Sequence, residues 1–349
     1  MNLQPFNLLL DANTYIACAW DMRQDSEART YWCAFFKKHV RTIVALGIEV
    51  LITQGVDADE AQRRAKALLA EFDATYDAFA ADPQHQHRVT MLTLDEWRDA
   101  LLRKHGFTDP FSILKDNENA GVVALLPRVC AQLDALSGVE QTRAVIEGVF
   151  AGNIFDMGAA GSAQLLLDGK LDFFTTRQKL PARPWLIDDF DAFARRAEKG
   201  WRKVVFFVDN AGSDFVLGAV PMMRWLARRG THVILATNER PTLNDMTYAE
   251  VTRWWPRLCE VEPSLETLPI RIVSTGTGEP LIDLARVSPV LNEASIDADL
   301  VVLEGMGRGV ESNLDAAFSC DAINLAMLKD PLIASRLGGR LYDVVCRFR

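Results

Sequence analysis

Apolar residues recur at three- and four-residue spacing over residues 29–54 (Trp32, Phe35, Phe36, Val40, Ile43, Val44) and 59–81 (Ala67, Leu68, Ala70, Phe72), with charges between them. That period predicts two amphipathic helices. Asp57 followed three residues later by Glu60 predicts the start of the second, because Asp can cap the helix and Glu can reach back. The helical texture continues to about Gly200, broken by the polar segment ADPQHQHR with His85 and His87, which predicts a surface loop. From Trp201 the pattern changes. Val204, Val205, Phe206, Phe207 and Val208 form an unbroken apolar run, as a strand buried on both faces requires. A helical pattern over 215–229, a stop at Gly230 and a second apolar run, HVILAT, at 232–237 complete a β-α-β unit. Its right-handed crossover makes the two strands parallel. Residues 270–274, 300–303 and 341–346 predict further strands. The expected fold class is α/β: a Rossmann-like, mainly parallel sheet flanked by helices, with an N-terminal helical domain over residues 1–145 and the α/β catalytic domain over 146–349.

Composition narrows the function classes. With 38 Lys and Arg against 47 Asp and Glu, the formal net charge is −9. An acidic chain is unsuited to tracking phosphates along a nucleic acid, so any basic site must be local. Residues 1–11, MNLQPFNLLLD, lack a basic n-region and a signal-length apolar run, and no stretch approaches the ~20 apolar residues of a membrane span. These features predict a cytoplasmic protein without membrane partners and leave a homo-oligomer open. The six cysteines lie far apart with no C-x-x-C spacing, which predicts buried thiols and not a zinc or disulfide framework.

Ligands of open parallel sheets sit outside the carboxyl ends of the strands. There the sequence places Asp209 and Asn210 after the first strand, Asn238 and Glu239 after the second, and Glu304 after a later one, with Asn244 and Asp245 in the loop TNERPTLNDMT. Two loops leaving one sheet edge can bring Asp209, Asn210 and Asp245 together. Three oxygen donors, two of them anionic, suit a hard divalent cation. Helix caps and turn formers are the competing account of each residue taken singly. An arginine bridging Asp209 and Asp245 would count against this trio and the hydrolase reading built on it. A second cluster, Glu304, Gly305, Met306, Gly307 and Arg308, combines glycines that allow close approach with a guanidinium fork that matches phosphate; Asn313 and Lys329 follow. A third polar knot, AGNIFDMG at 151–158, carries Asn153 and Asp156. The segment from Thr275 to Gly278 lacks the full dinucleotide pattern, and His232 reads as structural.

These residues lie in motifs that carry a resemblance. VDNAGSDFVLG at 208–218, RRGTHVILATNERPTLNDMT at 228–247, EGMGR at 304–308, AGNIFDMGA at 151–159, DPFSILKDNEN at 109–119 and RLGGRLYDVVCRF resemble the metal-dependent damage-control phosphatases, formerly a family of unknown function. The EGMGR stretch is similar to the branch that includes the phosphatase domain of pantothenate kinase 4 and stand-alone plant relatives. The resemblance implies hydrolysis of small phosphomonoesters, either 4′-phosphopantetheine-like compounds or sugar phosphates, with Mn²⁺, Ni²⁺, Co²⁺ or Mg²⁺ held by Asp209, Asn210 and Asp245. Two positions depart from the relatives: Met157, where an aromatic is commoner, and Glu279, where they have smaller residues.

In the mechanism expected from these residues, Asp209, Asp245, Arg308 and Lys329 are catalytic. Asn153, Asp156, Ser213, Asn238, Glu304, Gly305, Arg308 and Lys329 bind substrate, a small phosphorylated metabolite. Two alternatives remain at this stage. One is an S-adenosylmethionine-dependent methyltransferase, weakened by the missing glycine-rich loop. The other is a non-enzymatic metabolite-binding protein, weakened by the intact oxygen-ligand set.

Overall fold

The computed structural model describes residues 2–154, 173, 177 and 180–349. It contains two compact units, one formed by Cys18–Leu114 with Pro241–Asn244, the other by Met1–Ala17, Lys115–Arg240 and Asp245–Arg349.

The first unit is helical. Its long elements are α1 (Ser26–Thr53), α2 (Ala58–Ala81) and α3 (Met91–Lys104). Asp57 caps α2 by accepting from the amides of Asp59 and Glu60. Glu60 does not close a capping box; its carboxylate pairs with Arg63 and Arg64 one turn on. The apolar stripes of α1 and α2 meet in a stack of rings, with Phe36 5.5 Å from Tyr76 and Tyr76 4.4 Å from Phe72. Beneath it Arg98, 2% exposed, forms ion pairs with Asp95 and Asp99. The hydroxyl of Thr242 donates to Asp99 at 2.7 Å and accepts from Arg98 at 3.1 Å.

The second unit is built on a seven-stranded sheet. Its strands are β1 (Ile187–Asp188), β2 (Lys203–Phe207), β3 (His232–Thr237), β4 (Ile270–Ser274), β5 (Leu300–Glu304), β6 (Asp321–Met327) and β7 (Val344–Phe348). The spatial order is β1-β7-β6-β5-β2-β3-β4, parallel throughout except between β6 and β7. Alternate residues of one strand enter opposite cores, which is why the apolar runs are unbroken. From β2, Val204 and Phe206 join a core with helical residues such as Ile146, Phe150, Phe215 and Leu226. Val205 and Phe207 join another with Phe6, Ile282, Leu284 and Leu291. Residues near the N-terminus thus cover a sheet face, Phe6 meeting the Phe207 ring edge-on at 5.6 Å.

Among the described residues, the helices of this unit are α4 (Ser112–Val122, from Lys115 onward), α5 (Leu126–Asp134), α6 (Gly138–Ile154), α7 (Phe190–Ala197), α8 (Val220–Arg228), α9 (Tyr248–Val261), α10 (Pro289–Ala294) and α11 (Pro331–Arg336). The expected boundary at residue 145 falls inside α6, whose buried face joins the core of the sheet. The helix predicted over 215–229 opens as a wide π-helical turn, Asp214–Ala219, before α8. Pro221 explains this, because it has no N–H to give to the carbonyl four residues back. Two strands escaped the sequence pattern: the two-residue β1, and β6, whose Asp321, Ala322, Asn324 and Ala326 break the β-branched texture. Among the described residues no helix is long and apolar enough to cross a membrane.

Candidate active site

Chain order and spatial order diverge at β2. The connection from β2 leads to β3 on one side, whereas β5, on the other side of β2, leads on to β6. Loops therefore part between β2 and β5, leaving a crevice at their carboxyl ends. Asp209 and Glu304 stand there, and the Asp209 amide donates to Glu304 Oε2 at 2.9 Å. Gly305 follows with φ +96°, and a Cβ on it would lie 2.0 Å from Asp209 Oδ2. Only glycine fits both the backbone and the approach of the carboxylate.

Carboxylate oxygens of Asp209, Asp214 and Glu304, all buried, lie within 4.8 Å of one another. Asn210 Nδ2 donates to Asp209 at 2.8 Å and to Asp214 at 2.9 Å. Asn153, at the end of α6, donates to Asp214 at 2.8 Å. Close packing places it there, since a Cβ on Gly152 would come within 2.8 Å of the Ser213 carbonyl oxygen.

Asp245 reaches the same edge through main-chain pairing of the loops. It forms an isolated antiparallel bridge with Asn210, and the Met246 amide donates to the Asp209 carbonyl at 3.0 Å. Its Oδ2 accepts from Asn238 at 3.0 Å and from Arg308 Nη2 at 2.7 Å. Arg308, 1% exposed, also pairs with Asp209 through Nη1. It thus bridges Asp209 and Asp245. This arrangement counts against Asp209, Asn210 and Asp245 as a self-sufficient ligand trio, and the hydrolase reading must rest on other ground.

Charge supplies part of that ground. Four buried carboxyl groups meet at this edge, Asp209 and Asp245 paired with the buried Arg308 guanidinium, and Asp214 and Glu304 close to Asp209. Burial, then the charges of Asp214 and Asp209, push the Glu304 carboxyl well above the usual carboxylate range. Burial alone would lower the pKa of Arg308, but Asp245 and Asp209 outweigh it and hold the guanidinium above its usual value. Glu304 Oε1 is buried and has no hydrogen-bond partner among the described residues. A site with surplus buried negative charge and an orphaned carboxyl oxygen is chemically suited to a divalent cation.

The other expected residues are distributed as follows. Asn238 uses its Nδ2 on Asp245 and on the Glu279 carbonyl at 3.3 Å, while its Oδ1 accepts from Arg308 at 3.2 Å. Lys329, half-buried, donates to the Asn153 carbonyl at 3.2 Å, which places it beside the Asp214 end of the cluster. Ser213 is buried at the start of the π-helical turn. Asp156 lies outside the described residues, as does Met157. Asp214 was missed as a site residue. Its signal was a fourth polar residue in VDNAGSD, which a helix-cap account absorbs. Asn119 was missed too: its Oδ1 accepts from the Gly212 amide at 2.7 Å and steadies the loop after β2.

Comparison with known proteins adds the remaining ground. Residues 41–345 match the family described as the damage-control phosphatase ARMT1-like domain. The chain is 40% identical over 299 residues to a damage-control phosphatase from Arabidopsis thaliana, covering 84% of this chain and 82% of that protein. It is 29% identical over 396 residues to a 4′-phosphopantetheine phosphatase from Mus musculus, covering 98% of this chain but only 48% of that protein. Among solved structures, a DUF89 family protein from Pyrococcus horikoshii superimposes with a TM-score of 0.63 at 18% identity, over 90% of this chain and 97% of that one. That likeness speaks for the fold.

Proposed function

The chain belongs to the damage-control phosphatase family with the ARMT1-like domain, and on that premise we propose that the β2/β5 crevice hydrolyses a small phosphomonoester with the help of a divalent cation held at Asp209. The chain is a phosphatase acting on metabolite phosphates. The name of the mouse relative points to 4′-phosphopantetheine-like compounds as candidates, and the motif resemblance adds sugar phosphates. The observation that carries the placement is the meeting of Asp209, Asp214 and Glu304 beside Arg308 at the switch point of the sheet. Asp209 belongs both to that cluster and to the strand-end set with Asn210 and Asp245, so it is the ligand common to both. Mn²⁺, Ni²⁺, Co²⁺ and Mg²⁺ all suit such oxygen donors. When bound, a cation of this kind polarises a phosphoryl oxygen and lowers the pKa of a coordinated water.

The chain's own residues do the rest. Arg308 presents a fork at the crevice and can pass from its carboxylate partners to the phosphoryl oxygens, where charge builds during transfer. Asn238 holds Arg308 and Asp245 in register through both ends of its amide. Lys329 and Asn153 border the Asp214 side, where a second positive charge helps neutralise the phosphate. A cytoplasmic setting fits a small-metabolite substrate and reduced thiols.

Release of inorganic phosphate from a panel of phosphomonoesters, with EDTA and with each of the four metals, tests this reading. Metal-dependent release is expected. A folded chain that releases no phosphate with any metal overturns it. Binding of S-adenosylmethionine in a calorimeter would instead favour the methyltransferase alternative. Replacing Asp245 by Asn and, separately, Asp214 by Asn distinguishes the two ligand sets, because the true ligand's loss weakens Mn²⁺ affinity more.

A further inference from the structure

Glu279 carries a carboxylate that the proposed chemistry does not use. Its side chain is only 9% exposed, yet among the described residues the buried Oε2 has no hydrogen-bond partner, and Oε1 lies 3.9 Å from the Arg240 guanidinium, beyond hydrogen-bond reach. A buried carboxylate left in this state is costly unless something donates to it.

Its main chain is built into the wall of the acidic site. The Glu279 carbonyl accepts from Asn238 Nδ2, the same amide group that donates to Asp245. The carbonyl of Pro280, the next residue, accepts from Arg308 Nη1 at 3.3 Å. On the other side the two strand-end loops are joined: the Glu239 amide donates to the Thr277 carbonyl at 2.6 Å, and a Cβ on Gly278 would meet the Arg240 carbonyl oxygen at 2.6 Å. Glu279 and Arg240 are thereby fixed side by side, one residue removed from the contacts of Arg308 and Asp245.

We propose that Glu279 is a specificity-determining residue that accepts a hydrogen bond from a hydroxyl or amide N–H on the part of the substrate that leaves with the ester oxygen. The substrate class is a phosphomonoester whose alcohol carries a hydrogen-bond donor a few bonds from the phosphate. This rests on the phosphatase reading above and adds to it a choice among esters. A site that supplies a buried acceptor discriminates against a substrate that cannot fill it, since the acceptor is then left unpaired.

The test compares kcat/KM for glycerol 3-phosphate and propyl phosphate, which share a three-carbon chain with and without hydroxyls, in the full chain with Mn²⁺. The wild type is expected to favour the hydroxylated ester by about 10-fold or more, from a hydrogen bond to a charged acceptor. Glu279→Ala should bring the ratio close to one. Glu279→Gln, which keeps an acceptor oxygen, should retain most of it. A wild-type ratio near one overturns the proposal without recourse to any variant, and so does an unchanged ratio in a folded Glu279→Ala protein. Release of phosphate from neither ester, nor from any other phosphomonoester, overturns the phosphatase reading itself.

Discussion

Each unit of the molecule buries an arginine between two aspartates, but the surroundings differ. In the helical unit Arg98 meets Asp95 and Asp99, and the Thr242 hydroxyl completes the network. Burial alone would lower the Arg98 pKa, and Asp99 and Asp95 more than reverse this, so the ion cluster is internally satisfied. In the α/β unit Arg308 meets Asp209 and Asp245, and two further carboxyls, Asp214 and Glu304, crowd in beside them. A buried charge cluster near balance fixes a structure, whereas one with surplus charge asks for a ligand.

The comparison breaks if the two arginine clusters respond alike to substitution. The largest separation should come from Asp209→Ala, which is expected to lower metal-dependent phosphate release by about 10⁴-fold, or ~5 kcal/mol. Its thermal unfolding should stay cooperative at an unchanged or higher temperature, because one of the crowded carboxylates is gone. Arg98→Met should do the reverse, costing about 3–5 kcal/mol in urea denaturation by stranding two buried aspartates. A fully stable Arg98→Met protein would show that the helical cluster is not structural.

Cation binding sharpens the contrast further. Mn²⁺ at about 100 times its dissociation constant should stabilise the wild type by ~2.7 kcal/mol, and this gain should vanish in Asp209→Ala but persist in a folded Thr242→Ser protein. Calorimetric scans with and without EDTA read it directly.

A smaller effect is expected at His39, on α1, whose pKa is lowered to about 4 by burial first and by Arg98 second. A histidine kept neutral in the folded state contributes stability that is complete above its unfolded pKa, near 6.5, and is lost as pH falls toward 4. Because the side chain keeps some access to water, the loss should be about 1–2 kcal/mol. His39→Leu should flatten stability over that window, whereas an unaltered slope would assign the acid sensitivity to other groups.

Local pattern carried much of the architecture. The 3.6-residue stripes of α1 and α2 and the unbroken runs of β2, β3 and β5 were legible because each encodes which faces are buried. β6 was not, since Asn324 sits in its interior and is accommodated only by donating to the carbonyls of Gly309 and Asn313, which long-range folding brings near. Asp209, Asn210, Asp245 and Arg308 could be gathered to one sheet edge from strand order alone. Sequence could not show that Arg308 would lie between two of them, because a guanidinium with several carboxyls in reach takes the partners that packing leaves closest.

The residues themselves therefore determined the α/β class, the parallel β2–β3 unit and the acidic, glycine-bearing edge, since these follow from periodicity and from connections between neighbouring elements. Tertiary structure decided which acids share a space: Asp214 and Glu304 beside Asp209, Asp245 paired with Arg308, and Glu279 with one oxygen unanswered among the described residues. The physical reason is range. Periodicity acts over a turn or a strand, whereas electrostatic and hydrogen-bond partnership acts over a few ångströms between segments far apart in the chain, such as Asp209 and Arg308, 99 positions apart.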